Sequence, residues 1–90
     1  MKRVLKYPIN GTHVTTLDLP RGSNVIHIDV QGSRYIIWAE VDETQPIEKR
    51  RFVGLMTGQS VDLGMKHIST LLVDNGNFVI HFYEITNDLT

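Results

Sequence analysis

The amino-acid sequence predicts an all-β domain: about seven antiparallel strands, folded over into a compact sandwich or a small, partly open barrel. Three observations lead there. The chain carries nine Val, nine Ile and eight Thr against a single alanine, Ala39, and β-branched side chains lose less in a strand than in a helix. Apolar and polar residues alternate with period two along most of the chain. Clusters of Gly, Asn, Pro and Ser interrupt that alternation at short intervals, where turns belong.

Arg3 to Ile9 alternates, with Leu5, Tyr7 and Ile9 inward and Lys6 and Pro8 outward. Pro8 has no amide hydrogen and suits an edge strand. Asn10-Gly11 reads as a tight turn into a second strand near His13–Leu19, so the two would form a hairpin. In that strand Thr15, Leu17 and Leu19 oppose Val14 and Thr16. Pro20-Arg21-Gly22-Ser23 turns the chain into Asn24–Val30, where Ile26, Ile28 and Val30 share one face and His27 and Asp29 the other. Gln31-Gly32-Ser33 closes a hairpin onto Arg34–Val41. There Tyr35, Ile37, Ala39 and Val41 line one face, and Ile36, Trp38 and Glu40 the other. Large apolar groups on both faces predict cover on both sides.

Asp42 to Pro46 is a polar loop. Ile47–Met56 resumes the alternation, with Phe52, Gly54 and Met56 opposite Arg51, Val53 and Leu55. After Thr57-Gly58-Gln59-Ser60, residues Val61–Leu63 read as a short extended piece or one helical turn. In Lys66–Asp74, Ile68, Thr70 and Leu72 alternate with His67, Ser69, Leu71 and Val73. Asp74-Asn75-Gly76-Asn77 is the clearest turn, and it leads into Phe78–Ile85. Most strands are thus expected to be joined as sequential hairpins in one domain, residues 1–90, with 86–90 a flexible tail.

Composition bounds the function. There is no Cys, hence no disulfide framework and no thiolate chemistry. No apolar run approaches the ~20 residues of a membrane-spanning helix. A formal net charge of −1 argues against broad nucleic-acid binding.

Motifs for chemistry are sparse. His13, His27, His67 and His81 fall on different strands, with none spaced as a metal pair. A simple hairpin about the Asn75-Gly76 turn sets His81 opposite Thr70 and His67 opposite Glu84, too far apart for direct contact. No serine sits in a nucleophile elbow, and no glycine pattern forms a phosphate loop. The expectation is a protein without enzymatic activity, cofactor or metal. Lys49-Arg50-Arg51 is the one basic run, and alternation puts Arg50 opposite its two neighbours. Arg50 and Arg51, with Thr57, Gly58, Gln59 and His81, are candidate contacts for an anion or nucleotide. Tyr35, Ile36 and Trp38, with Arg50 and Arg51, are the candidate protein interface. Trp38 is either exposed as a binding anchor or buried as part of the core.

Lys6-Tyr7-Pro8-Ile9, Leu17 to Gly22, Ile37-Trp38-Ala39-Glu40-Val41-Asp42, Pro46 to Phe52, Thr57-Gly58, His67-Ile68-Ser69-Thr70 and Phe78 to Glu84 together resemble a family of small accessory proteins of tailed bacteriophages and bacterial prophages. The sequence departs from that pattern at Ser69 and at Leu55-Met56. The resemblance implies a phage product acting in the cytoplasm of an infected bacterial host and transfers no catalytic residue. Such proteins bind a host protein, including defence factors, or sequester a nucleotide signal; a minor virion component is a third reading. A homodimer or larger homo-oligomer is expected to supplement so small a core.

Overall fold

The computed structural model describes residues 1–86. Seven strands form: β1 (Arg3–Ile9), β2 (Thr15–Pro20), β3 (Asn24–Gln31), β4 (Arg34–Val41), β5 (Ile47–Met56), β6 (Met65–Val73) and β7 (Phe78–Ile85). They make two antiparallel sheets, one ordered β1-β4-β3 and the other β2-β5-β7-β6. The fold is therefore an all-β sandwich. Residues 59–62 are irregular, neither strand nor helical turn. Of the expected tail, Thr86 is tied down: its amide and hydroxyl both donate to Gly64 O, at 2.5 and 2.7 Å. Residues 87–90 lie outside the described residues.

The core forms where the two inner faces meet. Ile37, Ala39 and Val41 of β4, with Ile9 and Ile28, face Leu19, Phe52, Leu71, Ile80 and Phe82 of the four-stranded sheet. Each comes from the inward phase of its strand, which is why alternation dictates the layer.

Pairing departs from the sequential-hairpin expectation. β1 pairs with β4 and β2 with β5, so Asn10-Gly11 does not close a hairpin. It carries the chain from one sheet to the other. Gly11 packs there against Gly54 of β5: a Cβ on Gly54 would stand 2.0 Å from Gly11 O and 2.7 Å from Ile80 Cγ2. Only the β3–β4 and β6–β7 links are hairpins. In the second, Asp74 and Asn75 take positive φ (53° and 55°), a conformation Asp and Asn tolerate, and Gly76 follows at 83°.

Two bulges break the alternation. The β3 register shifts between Val25 and His27, so Val25 packs on the core and Ile26 is exposed. The β6 register shifts between His67 and Ser69. His67 then pairs with Tyr83 instead of Glu84 and shares the outer face with Thr70.

β5 and β6 both run antiparallel to β7, which lies between them. The 57–64 connection must therefore cross β7. The inner face is filled by the other sheet, so the connection crosses on the outer face as a strap. Thr57 Oγ1 meets His81 Nε2 at one end (2.9 Å), and Gly64 is held by Thr86 at the other.

Candidate functional site

Trp38 stands at the centre of the outer face of the three-stranded sheet. It belongs to the middle strand, β4, flanked by Lys6 of β1 and His27 of β3. The inward residues of β4 complete the core without it. Trp38 is half-buried by lateral neighbours alone; the His27 ring lies 5.8 Å away, tilted 38°. His27 Nε2 in turn stands 3.5 Å from Asp29 Oδ2. Beside Trp38, Ile36 is only 5% exposed although it too points outward. Lys6 Nζ donates to Gln31 Oε1 at 2.8 Å, joining the two flanking strands across the β4 row that holds Ile36. The face is an apolar centre in a ring of polar side chains that already pair with one another.

The edges of the sheets are blocked. β1 carries Pro8, β2 is six residues long and ends in Pro20, and β3 and β6 are bulged. Each device frustrates strand addition, so an incoming protein meets faces.

The other sequence-predicted residues are dispersed. Tyr35 turns inward at the end of β4, its ring 5.5 Å from that of Phe82. Arg50 also turns inward. Its Nε and Nη2 clasp both Glu84 oxygens at 2.6 and 2.7 Å, and Nη1 donates to Ser23 O. Both side chains of the pair are less than one-fifth exposed. The Glu84 hydrogen bonds raise the Arg50 pKa above its ordinary value against the opposing effect of burial, so the cation is permanent. Arg51 lies on the outer face of the four-stranded sheet, level with Thr16 and Ile85. Thr57 and His81 do meet. Gln59 folds back on β5: Met56 N donates to Gln59 Oε1 (2.7 Å) and Gln59 N to Met56 O (3.1 Å). Met56 is six residues beyond Arg50, roughly 20 Å at the rise of a strand. The structure therefore does not gather Arg50, Arg51, Thr57, Gly58, Gln59 and His81 into one anion site.

The β6 bulge brings together a set that alternation missed. Thr70 Oγ1 sits between His67 Nε2 (2.9 Å) and His81 Nδ1 (3.0 Å), and His81 Nε2 meets Thr57 Oγ1. Four polar side chains thus satisfy one another, and the Tyr83 ring meets that of His67 edge-on at 5.3 Å. Among the described residues no group of three or more His, Asp or Glu could hold a metal ion.

Fold and surface together define a small two-sheet antiparallel β-sandwich domain that presents an aromatic patch on one outer face. Residues 1–89 match the family described as "Domain of unknown function (DUF7352)", and the chain belongs to that family. No curated protein and no solved structure matches it.

Proposed function

We propose that this domain is a non-enzymatic binding protein that engages a bacterial host protein through the Trp38 face. One observation carries the reading. The chain's one Trp sits at the centre of an outer sheet face, where the core does not require it. Trp is the residue most enriched at interface hot spots, and a centre of this kind ringed by self-paired polar groups matches their anatomy. The blocked edges favour a face over strand addition. The resemblance to phage accessory proteins supports a bacterial host as the source of the partner and its cytoplasm as the location.

The test is affinity capture from bacterial lysate with three forms of the chain: unchanged, Trp38→Ala, and Thr16→Ala on the opposite outer face. The expected outcome is one stoichiometric protein retained by the unchanged chain and by Thr16→Ala. Trp38→Ala should lose it, a cost of about 2 kcal/mol or more, or roughly 30-fold in Kd. A partner held equally by Trp38→Ala would overturn the assignment.

A further inference from the structure

At the end of the sandwich that holds the β3–β4 hairpin, a pocket of about 360 Å³ opens between that hairpin and the 10–14 connection. Its volume lies in the range of small-molecule sites. Pro8, Ile9 and Tyr35 supply apolar wall; Asn10, Ser33 and Arg34 supply polar groups. Gly11 is part of the lining and packs directly on the Tyr35 ring: a Cβ there would stand 2.9 Å from Tyr35 Cε2. The pocket has one formal charge, the Arg34 guanidinium, and no carboxylate. Arg34 forms no ion pair or side-chain hydrogen bond among the described residues, unlike Arg3 and Arg50, which are each paired with a glutamate. The Ser33 hydroxyl and Asn10 side-chain amide are likewise unengaged; only the Asn10 backbone amide is used, donating to Thr15 Oγ1.

We propose that this pocket binds a small organic oxyanion, a phosphate or carboxylate carried on a ring. The Arg34 fork would take two oxygens. Ser33 and Asn10 are the remaining donors, and the ring lies against the apolar part of the wall. Arg34 and Pro8 lie on the same outer face as Trp38, beyond Ile36, and the proposal does not depend on the reading given to Trp38.

Backbone amide NMR titration of the full chain tests it, with three probes: adenosine monophosphate, N-acetylphenylalanine and inorganic phosphate. Saturable shifts at Gly11, Ser33 and Tyr35 with either ring-borne anion support the proposal, and whichever binds tighter identifies the oxyanion. Arg34→Gln should weaken that binding about tenfold or more, with its own thermal unfolding unchanged. Trp38→Ala should leave the binding unaltered. Three results would overturn the proposal: no saturable shift with either ring-borne probe, equal binding by Arg34→Gln, or inorganic phosphate binding as tightly as both ring-borne probes.

Discussion

At the end of the sandwich bearing the 21–23 and 42–46 connections, a charged side chain fills the gap between the sheets. Arg50 reaches from β5 across Phe52, its Cζ 5.8 Å from the ring centroid, to bind Glu84 and the carbonyl of Ser23. Arg21 N adds a backbone bond to Pro46 O at 2.8 Å. At the opposite end, backbone closes the gap: Gly11 lies on Gly54 and against the ring of Tyr35. A polar plug holds distance and orientation through specific oxygens and tolerates some change in volume. Backbone-on-backbone contact leaves no volume to spare, but consumes no charge. At the glycine end Arg34, without a side-chain partner among the described residues, stands beside the pocket.

The sharpest break of this contrast is Gly54→Ala. The new methyl would stand 2.0 Å from a carbonyl oxygen, so the 10–14 connection must move. The expected cost is about 3 kcal/mol, at the upper end of overpacking penalties, or a fall in Tm of roughly 15 °C for a domain of this size. Gly11→Ala meets a side-chain ring edge instead and should cost about 1 kcal/mol. Thermal unfolding followed by circular dichroism reads both. Equal, small losses would show that the glycine end is not closed by backbone contact.

The Arg50 end makes the converse test. Arg50→Met alone strands the Glu84 carboxylate, which is mostly covered, and should cost about 2 kcal/mol, between the surface and buried limits for ion pairs. Adding Glu84→Leu should recover most of that, since an apolar pair can fill the same space without desolvating charge. A double variant as unstable as the single one would locate the stabilisation in the bond to Ser23 O, not in the ion pair. Denaturant unfolding separates the two outcomes.

How much of this was legible in the sequence follows from what is local. The limits of β1, β4, β5 and β7 read directly from alternation, as did the register placing His81 opposite Thr70 across the Asp74-Asn75 turn. The partner of each strand was not legible. Asn10-Gly11 has hairpin chemistry, and only the close approach to Gly54, more than forty residues away, shows that it crosses between sheets. The bulges at Val25/His27 and His67/Ser69 were hidden because one extra residue inverts the alternation without altering composition. For that reason alternation sets His67 opposite Glu84, away from the Thr57–His81–Thr70 chain it joins in the structure. Alternation sets Arg50 opposite Arg51, yet its role depends on Glu84, 34 positions along the chain. A basic residue whose partner is distant looks like a ligand contact.

The smallest test asks whether acid sensitivity also belongs to one end. The 42–46 connection turns on Asp42, whose carboxylate accepts the Thr44 hydroxyl (2.6 Å) and the Thr44 amide (3.0 Å). These bonds, the hydroxyl first, hold the Asp42 pKa below the usual carboxylate value. A carboxyl whose folded pKa is lowered stabilises the fold above its unfolded pKa, and that contribution disappears as pH falls through the folded value. Arg50 stays protonated throughout that range. Thr44→Ala removes the stronger donor and leaves the amide. The Asp42 midpoint, read by carboxyl ¹³C NMR, should move up towards the ordinary range. The contribution should shrink and begin to fade at higher pH, while stability below the lowered midpoint is unchanged. An Asp42 midpoint that does not move in Thr44→Ala would assign the lowering to the amide, and with it to the backbone of the turn.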